Sequence, residues 1–443
     1  MTSLEVADGR SRPDSGRSGP VCVVGLGYVG VPLAHEFDRA GFDVIGYDID
    51  SPKVDRLREG TDPTGDVGDR RIRAGDVSFT DDESSISRAS FVVVAVPTPV
   101  DELENPDLES VRRAGETVGR NVAPGTIVVL ESTVYPGATR EVLIPAIDRT
   151  TDHEVGEEVR VGYSPERVVP GDESRGIRDV TRIVSARRKD ALEEIAAVYE
   201  AVVDADVYRA PSIEVAEAAK CVENVQRDLN IALVNELAIA CEHLDLDTEA
   251  VLDAASTKWN FHEYRPGIVG GHCIPVDPFF IISESRRNGF TPKLIQQARA
   301  VNEYVPKHVA ELTLKSMNEC RHVPRETTVL VLGLSYKPGV GDVRTSAVDG
   351  TISHLRTYDV DVVGYDPHVD SEVAAAELGI EVREEPSYEG VDGIVLATAH
   401  EELRSLDYRA VASELSPNPF LVDVDGALDA DEMREIGFEY RRL

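Results

Sequence analysis

Val21-Cys22-Val23-Val24-Gly25-Leu26-Gly27-Tyr28-Val29-Gly30 decides the fold. Four apolar residues make a short buried strand, three glycines follow at G-x-G-x-x-G spacing, and a helical stretch runs on from Val31 to Arg39. Gly25 and Gly27 let backbone N–H groups approach a pyrophosphate at a helix N-terminus, and Gly30 allows tight helix–strand packing. Tyr28 and Val29 belong to the same turn. Val44-Ile45-Gly46-Tyr47 forms a second strand that ends at Asp48, 18 residues past Gly30. An acid there accepts hydrogen bonds from both ribose hydroxyls and repels a 2′-phosphate, which favours NAD over NADP. Lys53 softens that preference. A merely structural glycine turn is the plain alternative, and the strand–turn–helix–strand context weighs against it.

Further strands lie at Phe91–Val96, closed by Pro97-Thr98-Pro99, and at Thr126–Leu130, closed by Glu131-Ser132-Thr133. Val161-Gly162-Tyr163 leads into Ser164-Pro165-Glu166. Strands alternating with helices predict a parallel, doubly wound α/β sheet with ligands at the strands' carboxyl ends. The loops carrying Pro97, Thr98, Thr133 and Glu166 therefore face the same crevice as the glycine turn.

From Ile213 to Leu244 no Gly or Pro occurs, so one long helix of roughly 45 Å is expected, linking domains or meeting a partner subunit. A second helical run covers Lys293 to Asn318, broken or kinked at Pro306. A new α/β domain follows, with strands at Thr328–Leu332, Val360–Tyr365, Ile394–Ala397 and Leu421–Val424. It lacks a G-x-G-x-x-G turn, so it is read as a second Rossmann-like half that carries substrate. The expected division is a flexible tail over 1–19, a NAD-binding Rossmann domain over 20–208, a central helical region over 209–318, and a substrate-carrying Rossmann-like domain over 319–443.

The chain has 443 residues and a formal net charge of −35, with 46 basic residues of which 8 are Lys. Acid is spread along the whole length between recurring apolar runs, so this is not disorder. A diffuse acidic surface with Arg in place of Lys suits a high-salt cytoplasm, where screening relieves self-repulsion. It argues against nucleic acid and anionic membranes as partners. No apolar stretch reaches the roughly 18 residues of a membrane span, and Met1–Pro20 has no apolar core of the signal-peptide kind. The cysteines at 22, 221, 241, 273 and 320 are scattered and odd in number, which indicates neither a disulfide framework nor a metal site. Four of them read as small buried hydrophobes.

Cys273 differs. It sits in Gly270-Gly271-His272-Cys273-Ile274-Pro275-Val276-Asp277-Pro278. A glycine turn presenting a thiol, with a carboxylate four residues on, suits covalent catalysis. Beside a nicotinamide site it suggests oxidation of an alcohol past the aldehyde to the acid, the thiol holding the aldehyde between two hydride transfers. Asp277 can orient water or act as general base. Lys220 and Asn224 are four apart on the long helix and share a face; on spacing alone that face reads as solvated, and the pair gains weight only beside Cys273. Glu166 and Thr133 have ordinary readings too, a surface acid and a turn Thr.

Gly25–Gly30, Glu131-Ser132-Thr133, Ser164-Pro165-Glu166-Arg167, Lys220 with Asn224, Gly270–Pro278, and Tyr336-Lys337 followed by Asp342-Val343-Arg344-Thr345-Ser346 together resemble the UDP-glucose/GDP-mannose dehydrogenase family, in the family's order. The resemblance implies a NAD-dependent nucleotide-sugar 6-dehydrogenase that dimerises through the central helix. It implies Cys273 as the nucleophile of a thiohemiacetal and then a thioester. Lys220 would stabilise the oxyanion, assisted by Asn224. Asp277 and Glu166 would move protons and activate water, with Thr133 positioning that water. Arg344, Lys337, Arg265, Arg167 and Gly270 would meet the nucleotide sugar. Pro170 stands where the glucose-oxidising branch has an acid, and with Pro275–Phe280 this resembles the branch oxidising UDP-N-acetylhexosamines, UDP-N-acetylmannosamine foremost. A NAD-dependent epimerase or dehydratase is the rival class, but it needs a Tyr-x-x-x-Lys pair that the first 200 residues lack.

Overall fold

The computed structural model describes residues 19–101, 103–168 and 176–443. The expected tail lies outside the described residues except for Gly19, and so does Pro170. The chain forms two compact units. One holds the described residues up to Val222 together with Phe279–Arg287; the other holds Glu223–Pro278 and Asn288–Leu443.

The first unit is built on eight strands: β1 Val21–Val24, β2 Val44–Tyr47, β3 Ser78–Thr80, β4 Phe91–Val94, β5 Ile127–Leu130, β6 Arg160–Tyr163, β7 Arg182–Ala186 and β8 Val207–Arg209. Their spatial order is β3-β2-β1-β4-β5-β6-β7-β8. The order reverses at β1/β4, which is where a doubly wound sheet binds ligands. β1, β4 and β5 are continuous Val/Ile/Leu runs, apart from Cys22 and Phe91, because helices cover both faces of a parallel sheet. Phe37, Phe91 and Tyr199 pack with ring centroids 6.0 to 6.4 Å apart, so the Tyr199 ring is a core residue. One pairing departs from the expected all-parallel sheet. β7 runs antiparallel to β6, with Tyr163 opposite Ser185. No helix lies between them among the described residues, and an antiparallel neighbour needs none.

The second unit carries six parallel strands: β9 Thr328–Leu332, β10 Asp361–Tyr365, β11 Glu381–Val382, β12 Gly393–Leu396, β13 Phe420–Asp423 and β14 Glu439–Arg442. Their order is β11-β10-β9-β12-β13-β14, the dinucleotide-fold order again, so the second Rossmann-like half is present. The long helix spans Ile213–His243, 31 residues. The helix Lys293–Glu319 is not broken at Pro306. Pro306 is buried against the Val348–Arg356 helix, where Thr351 Oγ1 donates to its carbonyl at 2.9 Å, and this packing outweighs the lost backbone bond.

Candidate active site

In the first unit the glycine turn is shaped by two close approaches. Gly25 has φ +96°, and a Cβ there would lie 2.6 Å from the Ala95 carbonyl oxygen. A Cβ on Gly30 would lie 1.8 Å from the Gly25 carbonyl oxygen, so the helix Gly30–Arg39 can start this close to β1 only with glycine. Gly27 has open space where a Cβ would stand. That cradle fits a pyrophosphate on a helix N-terminus.

Asp48 is buried at the end of β2 and holds the turn. Its Oδ2 accepts from Leu26 N–H at 2.7 Å and from Lys53 Nζ at 3.0 Å, and its Oδ1 accepts from Asp50 N–H at 2.9 Å. Tyr28 is exposed beside the turn. The loops after β4 and β5 are tied together: Thr98 Oγ1 donates to the Thr133 carbonyl at 2.7 Å, and Ser132 Oγ to the Val96 carbonyl at 2.6 Å. Pro97, Thr98 and Thr133 thus lie on two loops that form one rim.

Behind that rim lies a buried polar group that sequence reasoning missed. Glu131 ends β5, Ser164 and Glu166 follow β6, and Arg182 opens β7. Arg182 donates from Nε to Ser164 Oγ at 3.0 Å and from Nη1 to Glu166 Oε2 at 2.8 Å, and forms an ion pair with Glu131 through Nη2. The Tyr199 hydroxyl donates to Glu131. Glu166 Oε1 accepts the N–H groups of Arg167 and Val168 at 2.6 and 2.8 Å. Burial alone would raise the Glu166 carboxyl, but Arg182 and the two N–H donors outweigh it and hold it below the ordinary range. For Glu131 burial wins over Arg182, and the carboxyl is pushed up to about 7. The available signal was an Arg at the head of an apolar strand, Arg182-Ile183-Val184.

Lys220 and Asn224 are both buried, so the face they occupy is not the solvated one that spacing alone suggested. In the second unit Asn224 Nδ2 donates to Asp277 Oδ2 at 2.5 Å, and Asp277 is itself buried. Asp277 N–H donates to the Cys273 carbonyl at 2.9 Å, closing the turn that carries the exposed Cys273. Gly271 has φ +90°, its N–H donates to the Thr345 carbonyl at 3.0 Å, and a Cβ on it would strike the Tyr336 ring at 2.8 Å. A Cβ on Gly270 would lie 3.0 Å from both the Thr345 carbonyl oxygen and Tyr336 Cβ. The glycines are there because the thiol turn is seated on the Tyr336–Ser346 loop. That seat brings Cys273, Gly270, Lys337 and Arg344 onto neighbouring segments.

Arg344 is exposed and pairs with Asp342 at 2.8 Å; Arg265 is exposed and pairs with Asp253 at 2.7 Å. Such pairs are weak in water, so either guanidinium can exchange its carboxylate for a phosphate. A further network also escaped the sequence. Asn235 brackets Gly267, donating to its carbonyl at 3.1 Å and accepting its N–H at 2.9 Å. Asn235 in turn meets Asn302, which together with Arg299 binds the buried Asp228. This fixes the segment that leads into the thiol turn.

The UDP-glucose/GDP-mannose dehydrogenase family models match in all three parts: the NAD binding domain over residues 20–203, the central domain over 214–304 and the UDP binding domain over 330–430. The chain belongs to this family. A UDP-N-acetyl-D-glucosamine 6-dehydrogenase of Pseudomonas aeruginosa is 39% identical over 413 residues, covering 93% of this chain and 98% of that protein. A UDP-N-acetyl-D-mannosamine dehydrogenase of Pyrococcus horikoshii is 31% identical over 401 residues, covering 89% and 93%. The solved structure of the UDP-D-ManNAc dehydrogenase from Pyrococcus horikoshii superposes with a TM-score of 0.86 at 29% identity, covering 96% of this chain and 98% of that one. This family member is therefore a NAD-dependent nucleotide-sugar dehydrogenase, an oxidoreductase with two Rossmann-like halves. Among the described residues no helix is long and apolar enough to cross a membrane.

Proposed function

We propose that this enzyme oxidises the C6 hydroxyl of a UDP-N-acetylhexosamine to the uronate, with UDP-N-acetyl-D-glucosamine as the first candidate. The observation that carries the four-electron reading is the exposed Cys273 on a glycine turn, closed by its own bond to Asp277 and seated on the Tyr336–Ser346 loop. A dehydrogenase that stopped at the aldehyde would have no use for it. The gluco epimer ranks ahead of the manno epimer because the relative named for it is 39% identical against 31%. This reorders the expectation drawn from the Pro170 segment but stays within the N-acetylated branch.

NAD held by Gly25–Gly30, Asp48 and the Thr98–Thr133 rim supplies the hydride acceptor. Converting a primary alcohol to a carboxylate removes four electrons, so two NAD are used per sugar. The Cys273 thiolate adds to the C6 aldehyde after the first hydride leaves, giving a thiohemiacetal. Its oxyanion is stabilised by the Lys220 ammonium, with the Asn224 amide assisting. Loss of the second hydride leaves a thioester. Water, positioned by Thr133, then attacks as its proton passes to Glu166, Asp277 assists the proton transfer, and the C–S bond breaks with its electron pair on Cys273 Sγ. Arg344, Lys337 and Arg265 meet the diphosphate and sugar, and Arg167 and Gly270 complete the substrate contacts.

The test is NADH formed per sugar consumed, in molar salt, across UDP-glucose and the UDP-N-acetylhexosamines, for wild type and Cys273→Ser. Two NADH per N-acetylated sugar is expected, with acid formation in the variant reduced by roughly three orders of magnitude. A Cys273→Ser enzyme that still made acid at the wild-type rate would end the covalent reading. Activity on UDP-glucose alone would end the substrate assignment and leave the chemistry intact.

A further inference from the structure

We propose that Arg182 is a positioning residue for thioester hydrolysis: it orients Glu166 at the carboxyl edge of the first sheet and is itself anchored from behind by Glu131 and the Tyr199 ring. The inference rests on the reading of Cys273 as nucleophile and Glu166 as the group that activates water.

The geometry follows from the antiparallel pairing of β7 with β6. Because Tyr163 lies opposite Ser185, counting forward from β6 and backward along β7 brings Glu166 alongside Arg182. A parallel β7 would have put its first residue at the other edge of the sheet. The Arg182 side chain is 3% exposed and that of Glu131 0%. Every edge of the guanidinium is used: Nε on Ser164, Nη1 on Glu166, Nη2 on Glu131, with its carbon 4.8 Å from the centre of the Tyr199 ring. Glu166 is held at both ends, Oε1 by two backbone N–H groups and Oε2 by Arg182. Its carboxylate cannot rotate without breaking three bonds. A planar fork can serve three partners at once, which a lysine ammonium on a flexible stem cannot reproduce.

A purely structural ion pair is the competing account, but stability does not require one here. Apolar side chains of similar volume commonly serve a buried position as well or better. A second buried acid, Glu131, adds cost unless the arrangement of Arg182 is itself useful. In the hydrolytic step water adds to the thioester carbonyl carbon and its proton passes to Glu166. The C–S bond breaks with its electron pair on Sγ, and the uronate leaves. Arg182 exchanges neither proton nor electrons; it sets where Glu166 waits.

The test uses the full chain in molar salt with saturating NAD and UDP-N-acetylglucosamine. Arg182→Gln and Arg182→Lys are compared with Glu166→Gln by steady-state kinetics, by NADH formed in the first turnover, and by intact mass. In Arg182→Gln, kcat should fall roughly 100-fold, the cost of a misplaced catalytic group, while KM for the sugar stays near wild type. A sugar adduct on Cys273 should accumulate, as it should in Glu166→Gln. Arg182→Lys should regain part of kcat and show less adduct; if the Gln variant does not fold, the Lys variant carries the test by the same adduct. An adduct in Glu166→Gln but in neither Arg182 variant overturns the positioning role alone. An adduct in none of them overturns the reading of Glu166 beneath it, and the proposal with it.

Discussion

Lys53→Gln should make the enzyme discriminate more sharply between NAD and NADP. The Lys53 ammonium stands 3.0 Å from Asp48 Oδ2, so the two charges at the end of β2 nearly neutralise each other. A 2′-phosphate presented to Asp48 alone would meet a carboxylate at about 4 Å, a repulsion of about 4 kcal/mol per unit charge at an effective dielectric of about 20. With Lys53 at a similar distance the attraction is of like size, and the terms largely cancel. What remains against NADP is the lost hydrogen bond from a ribose hydroxyl. Removing the ammonium uncovers the repulsion. The Lys53 side chain is 28% exposed, so solvent reduces the effect to about 1–2 kcal/mol, or roughly 5- to 30-fold in the ratio of kcat/KM values. The ratio is measured with both cofactors at one UDP-sugar concentration, at low salt and in molar salt. In molar salt, with a Debye length of about 3 Å, the increase should shrink. Asp48→Asn should move the ratio the other way. A Lys53→Gln ratio that is unchanged or lower, or an increase that grows with salt, would refute the charge-cancellation argument.

Gly30→Ala should destabilise the first unit by about 1–3 kcal/mol or more and raise KM for NAD, because its Cβ has nowhere to go 1.8 Å from the Gly25 carbonyl oxygen; the denaturation midpoint and an NAD titration report both effects. Glu131→Gln should become relatively more stable than wild type as pH rises. The Glu131 carboxyl moves from 4.5 to about 7 on folding, so the folded state binds its proton more tightly. That stability is fully present below pH 4.5 and is lost as pH rises through about 7, a loss of roughly 3 kcal/mol that Gln cannot suffer. Thermal melts of both proteins from pH 5 to 8 test this, and a melting difference that does not vary with pH would count against it. Leu233 and Leu237, 56% and 43% exposed and four apart on the long helix, are expected to be covered by a second copy. Light scattering in molar salt should give twice 48.3 kDa, and Leu233→Lys with Leu237→Lys should give the monomer mass.

The readable parts of the fold were those whose burial leaves a local mark. β1, β4, β5 and, from Val329 onward, β9 are buried on both faces, so they are uninterrupted apolar runs that need no partner to be recognised. β3 and β8 are three-residue strands bearing polar or charged side chains, and nothing in Ser78-Phe79-Thr80 or Val207-Tyr208-Arg209 separates a strand from a loop. The glycine turn and the thiol turn were visible because close backbone approaches demand glycine. The Arg182 group and the Asn235–Asn302–Asp228 network were not, because their polar residues are satisfied by segments 32 to 74 positions away or by partners across the sheet. A lone Arg or Asn looks like surface until those partners arrive. Pro306 shows the same limit in reverse: the local rule predicts a break or a kink, and the helix continues through it, packed against a neighbouring helix.

The two sheets share one device, and its variation explains their different ligands. In the first unit the residue after the glycine of β1's turn, Leu26, donates its N–H to the acid that ends β2, Asp48, at 2.7 Å. In the second unit the residue after Gly333, Leu334, donates its N–H to the acid that ends β10, Asp366, also at 2.7 Å. Even the strands rhyme, Gly46-Tyr47-Asp48 against Gly364-Tyr365-Asp366. What differs is the remaining valence of the acid. Asp48 gives its other bonds to one backbone N–H and to a partly exposed ammonium, which a ribose hydroxyl can displace. Asp366 is buried, and its oxygens accept from Ser335 N–H at 2.9 Å, from His368 N–H at 2.9 Å and meet His400 Nε2 at 3.1 Å. His400 Nδ1 accepts the Gly339 N–H, so Nε2 carries the proton and points it at Asp366 and Ser335. The acid that would read a ribose is consumed inside the fold, and Ser335 stands where the first unit has the open glycine Gly27. The second half keeps the dinucleotide architecture and has closed the acid that would recognise an adenosine ribose.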